Sequence, residues 1–217
     1  TLIRLRFFGG WELPEGITQD PDFVKKAYAA GVPMGQDMPE HPIKDLAKAP
    51  SFAIWAMKDP ESGNLDRIQM VKAWADPANG YPKEAIYELA WSEADKRKLD
   101  PNTGKIPPVG NTVDIKKATY TNDIGDSELT AEWTDPAFDP TVPTAYYVRV
   151  LEIPTPRWST YDAAKLGVEP PKEVPATIQE RAWSSPIWYT PSPEVMAMAK
   201  EQGAQPPAQK HASPSAQ

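Results

Sequence analysis

The sequence contains no cysteine and only two histidines among its 217 residues. Without cysteine there can be no disulfide bond, no thiolate nucleophile and no thiolate metal ligand. The histidines, His41 and His211, are far apart in the chain, and neither belongs to a His-x-His or Asp-x-His pattern. We therefore expect both in solvent-exposed loop positions, and we predict no catalytic, cofactor-binding or metal-binding residues in this chain.

Long basic stretches and long apolar stretches are also missing. Lys and Arg total 23 against 30 Asp and Glu, for a net charge of −7, and the longest basic block is residues 96–98. This charge balance does not support a nucleic-acid partner. No run of about 18 apolar residues occurs, so no membrane span is predicted. A cysteine-free chain fits the cytosol and the periplasm alike, and we favour a periplasmic or secreted location over a cytoplasmic one.

The motifs of common active sites do not occur either. There is no Gly-x-Ser-x-Gly elbow for a nucleophilic serine and no Gly-x-Gly-x-x-Gly loop for a nucleotide. Two Asp-rich segments, residues 59–66 and 100–104, have oxygen ligands at a spacing that would suit Ca²⁺, but neither is followed by the distal Glu of a helix-loop-helix site. Because both combine Asp, Pro, Asn and Gly, we interpret them as turns between strands.

What the sequence does contain is proline and alternating hydrophobicity. Its 26 prolines disfavour long helices and central strand positions. Apolar and polar residues alternate with period two in about seven segments, which predicts half-buried strands. We therefore predict a mainly β fold, an antiparallel β-sandwich of immunoglobulin-like or jelly-roll-like type. The predicted strands cover residues 3–7, 52–57, 67–71, 85–91, 128–134, 145–151 and 182–189.

Two or three short helices complete the prediction. One begins with Asp20 as N-cap and ends at Gly31, a second covers residues 159–167, and a third covers residues 192–203. The chain then becomes rich in Pro, Ala, Gln and Ser, a composition typical of disordered segments. We predict one domain over residues 1–191, followed by a short helix and a disordered tail over residues 192–217.

The eight tryptophans allow two interpretations. Large aromatic rings fill sandwich cores, and exposed rings can also stack on sugars or apolar ligands. Trp11, Trp158 and Trp188 lie beside turns or prolines, and together with Arg157 they form our candidate ligand platform. Trp183 lies within a predicted strand, and we expect it to face the core.

Several segments carry a resemblance to a known bacterial family. They are Arg4-Leu5-Arg6-Phe7-Phe8-Gly9-Gly10-Trp11, Gly31-Val32-Pro33-Met34-Gly35, Lys58-Asp59-Pro60, Asn64-Leu65-Asp66-Arg67-Ile68-Gln69, Val109-Gly110-Asn111-Thr112-Val113 and Thr121-Asn122-Asp123-Ile124-Gly125, with the closing strands around residues 146–150 and 181–188. Over about residues 2–191 the chain resembles a family of uncharacterised domains related to metal-dependent hydrolases of the polymerase-and-histidinol-phosphatase (PHP) type. The resemblance implies that the divalent metal site of such a protein lies upstream of Thr1.

Two functions are compatible with these observations. The resemblance implies that the chain is the C-terminal, accessory portion of a PHP-like hydrolase, inactive alone, whose partner is the upstream catalytic domain of the same polypeptide. The start at Thr1, without a leader-like segment, leads us to expect a fragment or a processed product. The alternative is a free-standing β-sandwich module that binds a glycan or an apolar ligand. The sequence makes no prediction of oligomeric state, substrate or reaction.

Overall fold

The computed structural model describes residues 1–202. It contains eleven strands, three α-helices and a single 3-10 turn at Ile17–Gln19. The helices are α1 (Phe23–Ala30), α2 (Trp158–Leu166) and α3 (Pro193–Glu201). The strands are β1 (Arg4–Gly10), β2 (Val32–Pro33), β3 (Ser51–Met57), β4 (Leu65–Ala75), β5 (Pro82–Trp91), β6 (Glu128–Thr134), β7 (Thr144–Glu152), β8 (Thr155–Pro156), β9 (Thr177–Ile178), β10 (Arg181–Trp183) and β11 (Ile187–Tyr189).

The strands form two main antiparallel sheets. The first has the order β2-β1-β3-β6, and the second has the order β10-β7-β4-β5, with β11 also pairing with β7. A two-stranded ribbon joins β8 to β9. Side chains from both sheets form one core, including Phe7, Phe52 and Ile54 from the first sheet and Met70 and Val148 from the second. The predicted antiparallel β-sandwich is confirmed.

Strand alternation in the sequence corresponds closely to the observed burial. In β7, every second residue from Thr144 to Glu152 is buried. In β6, Leu129 and Ala131 are buried and Trp133 packs against the same core. These inward residues are apolar with few exceptions, because each one removes its surface from water when the two sheets pack together.

One predicted strand, residues 182–189, is divided in two. Trp183 pairs with Arg149, and Ile187 pairs with Tyr146. These two pairs are four residues apart in this segment but three residues apart in β7, so the segment contains one extra residue. The extra residue is accommodated at Ser184, whose Oγ accepts a hydrogen bond from the backbone N–H of Val148 at 3.0 Å. A one-residue bulge exchanges the two faces of a strand. Ile187 and Tyr189 therefore face the core, whereas Trp183 faces outward.

The three helices begin and end close to the predicted positions. Helix α1 begins at Phe23 rather than directly after Asp20, whose carboxylate accepts the backbone N–H of Asp22 at 2.8 Å. Ser192 caps α3 by accepting the backbone N–H of Val195, which is fully buried. No helix within residues 1–202 is long and apolar enough to cross a membrane. The predicted disordered tail begins after α3, and its residues 203–217 lie outside the described part of the chain.

Candidate functional site

The four residues of the predicted ligand platform differ in their exposure. Trp158, at the start of α2, is 78% exposed, and the preceding Arg157 donates from Nε to the carbonyl oxygen of Pro175 at 3.0 Å. Trp188 lies on β11 and is half exposed. Trp11 is buried, with its indole N–H bonded to the carbonyl oxygen of Pro39 at 2.8 Å, so its assignment to an exposed platform was wrong.

His41 was also placed wrongly by the sequence analysis. It is only 5% exposed, because its ring packs between Trp11, Phe138 and Tyr189. Its Nε2 lies 3.0 Å from the carbonyl oxygen of Lys48, and burial lowers the pKa of the imidazole below its ordinary value. The ring therefore belongs to a buried aromatic cluster.

Trp183 is the third correction, because it is 57% exposed rather than inward-facing. Its ring stacks on Tyr147 with centroids 6.1 Å apart, on the face of the second sheet that points away from the first sheet. The bulge at Ser184 is the physical reason for the error.

The Asp-rich segments form turns, as predicted. The carboxylate Oδ1 of Asp59 accepts the backbone N–H of Glu61 at 3.0 Å, and that of Asp100 accepts the N–H of Asn102 at 2.8 Å. Such side-chain bonds to the backbone two residues later stabilise tight turns. Within residues 1–202, no group of three or more acidic or histidine side chains is arranged to hold a metal ion.

Several of the segments that carry the family resemblance meet at one end of the second sheet. Asn64 donates its backbone N–H to the side chain of Asn122 at 2.8 Å and its amide to the carbonyl oxygen of Ile124 at 3.0 Å. Gly125 has φ +79°, and a Cβ there would lie 2.7 Å from atoms of Asn64 and Ile153. Only glycine satisfies both the backbone conformation and this close contact. The two loops therefore form one tightly packed unit, which we call the motif end.

Asp66 is the centre of a buried ionic network at the motif end. Its side chain is completely buried, and its Oδ1 lies 2.6 Å from Nη2 of Arg97. Its Oδ2 lies 2.9 Å from Nε of Arg67 and accepts a hydrogen bond from Gln179 at 2.9 Å. Arg97 also donates to the carbonyl oxygen of Pro107. The network thus joins four separate segments of the chain.

Glu152, at the end of β7, is a second fully buried carboxylate of the motif end. Ser62 donates its hydroxyl to Oε2 at 2.5 Å, and the hydroxyl of Thr1 donates to Oε1. Gln179 connects the carboxylate of Asp66 to the backbone of Glu152, since its amide also donates to the main-chain carbonyl oxygen of Glu152 at 2.9 Å. No arginine or lysine of residues 1–202 forms an ion pair with Glu152.

Asp59 and Tyr120 are two further ionisable groups of the motif end whose pKa values are shifted. Backbone N–H groups of Glu61 and Leu2 bond the carboxylate of Asp59 and lower its pKa. The pKa of Tyr120 is raised, mainly because its side chain is partly buried and to a smaller extent because of the charges of Tyr161, Glu152 and Asp59. Tyr120 therefore lies within electrostatic reach of both α2 and the Asp59 loop.

A second buried ion pair lies on β4. Nζ of Lys72 is 2.6 Å from Oδ2 of Asp135, which also accepts the hydroxyl of Tyr146 at 2.6 Å. All three side chains are buried, and burial, reinforced by the adjacent carboxylate, raises the pKa of Tyr146 well above its ordinary value. This cluster joins the loop after β6 to the middle of the second sheet.

These groups join loops that are distant in the sequence. The oxygens of Asp66 are bonded by two guanidinium groups and an amide. The sequence analysis missed all of these residues. A signal was present for Glu152, because it follows Tyr146, Val148 and Val150 at every second position of the strand pattern. Asp66 lies within a segment quoted for the family resemblance.

The fold and the motif end define a β-sandwich domain whose loops are fixed by buried charges. The family model described as "Protein of unknown function (DUF3604)" matches residues 1–191, and the chain belongs to this family. No curated protein and no solved structure matches the chain.

Proposed function

We propose that this chain is the accessory, C-terminal portion of a PHP-like metal-dependent hydrolase, and that it packs against a catalytic domain preceding it in the same polypeptide. The resemblance to PHP-related proteins supports this proposal. So does the chemistry of the motif end, where the polar residues stabilise loops. The module would supply a rigid wall beside the catalytic cleft.

The observation that carries the proposal is an exposed apolar surface on and after α2. Trp158 is 78% exposed, Leu166 is 74% exposed and Val168 is 59% exposed. Trp158 also contacts Tyr161, with ring centroids 5.8 Å apart. We call these four residues the α2 surface. Large exposed apolar patches often mark interfaces, since their burial against a partner is favourable.

The first residues of the chain are bonded to the end of β7, because the hydroxyl of Thr1 donates to Glu152, six residues before α2 begins at Trp158. Leu2 donates its backbone N–H to Asp59 at 2.7 Å, and Asp59 and Tyr161 both influence Tyr120. A polypeptide segment preceding Thr1 would therefore emerge close to α2. A preceding domain could cover the α2 surface without a long linker, so its association would be favoured by a high effective concentration.

Hydrogen exchange provides a direct test on two forms of the protein, residues 1–217 alone and the same chain with its preceding polypeptide. We expect residues 158–168 to exchange more slowly in the long form. The double variant Trp158→Ala/Leu166→Ala should remove this protection, whereas Tyr81→Ala, which removes a 69% exposed ring from the turn between β4 and β5, should not. Equal exchange in both forms would contradict docking at this surface.

Activity measurements test the enzymatic part of the proposal. With zinc, manganese or iron added, residues 1–217 alone should not hydrolyse phosphoester, ester or amide substrates, and the long form should. Metal-dependent turnover by the short form that is abolished by a substitution within residues 1–217 would refute the assignment. The preceding reading frame is a further test: a His-x-His pattern after a strand favours the hydrolase, and a nearby start codon or secretion signal favours the free-standing binding module.

A further inference from the structure

A row of four side chains crosses the outer face of the second sheet. Trp183 on β10 lies opposite Arg149 on β7, Arg149 lies opposite Gln69 on β4, and Gln69 lies opposite Glu88 on β5. Val148 and Val150, the neighbours of Arg149, are buried in the core between the sheets. Because successive strand residues point to opposite faces, the row lies on the face directed away from the first sheet. We call it the cross-sheet row.

Hydrogen bonds fix the polar members of the row. Arg149 donates from Nε to Oε1 of Gln69 at 2.8 Å, and Gln69 donates from Nε2 to Oε1 of Glu88 at 2.7 Å. Arg67 donates to the same Glu88 oxygen at 3.2 Å. The carboxylate of Glu88 thus determines the orientation of the Gln69 amide, which in turn holds the Arg149 side chain. Oε2 of Glu88 is buried and has no hydrogen-bond partner among the described residues.

The exposed end of the row is an aromatic platform with a cation beside it. Trp183 is 57% exposed, its ring is within 11° of parallel to the Tyr147 ring, and Cζ of Arg149 lies 5.8 Å from its centroid. Contacts with Tyr147 and Arg149 restrict the indole before any ligand arrives. A ring held in this way can stack on a ligand with a small loss of conformational entropy.

Positive charge is concentrated beside this platform although the chain as a whole is acidic. Arg181 lies opposite Leu151 on the same face, which places its Cα about 7–8 Å from that of Arg149. Neither guanidinium forms an ion pair with a described residue, whereas Arg67 and Arg97 both pair with Asp66. The Nη atoms of Arg149 form no hydrogen bond within residues 1–202. Arg181 donates from Nε and Nη2 to the carbonyl oxygen of Gln179, an acceptor that does not balance its charge. An anion bound by both arginines would balance their charges.

We propose that Trp183, Arg149 and Arg181 form a binding site for an acidic saccharide. The apolar face of a sugar ring would stack on Trp183, and its carboxylate or sulfate group would be bound by the two guanidinium groups. Gln69 and Glu88 would act as positioning residues for Arg149. The site differs from the α2 surface, and the inference does not depend on the proposed function.

A saccharide fits the surroundings better than a nucleic acid does. A polynucleotide would need a long positive footprint, and the chain has a net charge of −7 and no basic block beyond residues 96–98. The cations of the proposed site are Arg149 and Arg181, which lie on neighbouring strands beside one indole. A saccharide with one charged sugar ring between neutral sugar rings would fit this arrangement.

Calorimetry and tryptophan fluorescence on the full chain test the site. The probes are trigalacturonate for a carboxylate, a sulfated galactan oligosaccharide for a sulfate, a neutral galactan of the same length, and single-stranded oligothymidylate. We expect one or both acidic saccharides to bind, with an affinity that falls as salt is raised, and the neutral galactan to bind at least about tenfold more weakly. The carboxylate and sulfate arms identify which anion the guanidinium groups prefer.

Variants locate the binding on this face. Trp183→Ala and Arg149→Gln should each reduce affinity for the preferred acidic saccharide at least about tenfold, while circular dichroism remains that of the parent. Gln69→Leu should reduce the preference for the acidic over the neutral galactan. Tyr81→Ala and Arg4→Gln, which remove an exposed ring and an exposed cation elsewhere, should bind as the parent does. Equal binding of neutral galactan, tighter binding of oligothymidylate, no binding of any probe, or binding unaffected by Trp183→Ala would each overturn the inference.

Discussion

Replacing Asp66 by Asn should destabilise the protein more than any surface charge change. Asp66 is fully buried, and Arg97, with a side chain only 7% exposed, depends on it for its counter-charge. Removing one partner of a buried ion pair typically costs about 3–5 kcal/mol, because the other charge remains buried. Arg97 keeps its bonds to the carbonyl oxygens of Pro107 and Ser92, so we expect a value near the lower end, about 3 kcal/mol.

The measurement is urea unfolding followed by tryptophan fluorescence, with a thermal scan in parallel. For a chain of this size, about 3 kcal/mol corresponds to a fall in Tm of about 6–12 °C. Lys96→Ala is the matched control, because it removes a surface ion pair with Glu93 whose lysine is 70% exposed. Such pairs contribute at most about 1 kcal/mol. If Asp66→Asn lowered the stability no more than Lys96→Ala does, the ion pair between Asp66 and Arg97 would contribute no more than a surface ion pair.

A double-mutant cycle separates the ion pair from other effects of the substitution. Arg97→Met removes the charge that Asp66 balances. Combined with Asp66→Asn, it should cost less than the sum of the two single changes, because the second change no longer leaves an uncompensated charge. Strict additivity would show that the two side chains do not stabilise each other.

Two further predictions concern a tight backbone position and the buried imidazole. Gly125→Ala should lower the free energy of unfolding by about 2 kcal/mol or more, and Gly80→Ala by only about 1 kcal/mol. Both glycines have positive φ, but only at Gly125 would the added Cβ have atoms within 4 Å. Equal losses in urea unfolding would refute this account. His41, whose folded-state pKa is lowered by burial, should stabilise the protein fully above its unfolded pKa of about 6.5, with this contribution lost as pH falls through the folded pKa. His41→Phe should flatten that part of the stability profile, and His211→Gln should not.

The strands were predictable from the sequence because the period-two pattern reports burial directly. Residues 128–134 and 145–151, for example, alternate in the sequence as β6 and β7 alternate in the structure. The face of Trp183 was not predictable, because a bulge shifts register through backbone geometry that the apolar pattern does not encode. Pattern reasoning assumes an unbroken strand, and a single extra residue at Ser184 reverses its conclusion.

The buried polar residues were missed for a different reason. Composition assigns His, Arg and Asp to the surface, since burying them is costly without partners. His41, Arg97 and Asp66 are buried because residues distant in the sequence supply those partners. Arg97 even belongs to the longest basic block of the sequence, yet it is the only one of the three residues 96–98 that is buried. Pairing at long range is a property of the fold, and local patterns do not reveal it.

The motif end and the cross-sheet row are physically connected through Gln179. This residue bonds both Asp66 and the backbone of Glu152, and it lies two positions before Arg181, the first residue of β10. Arg181 in turn donates to the carbonyl oxygen of Gln179 at 3.2 Å. The buried network therefore fixes where β10 begins, and through β10 it fixes the positions of Arg181 and Trp183 beside Arg149. A change at Asp66 that leaves the protein folded should thus weaken acidic-saccharide binding although Asp66 lies outside that site, because the aromatic platform would lose the anchor that aligns it with β7.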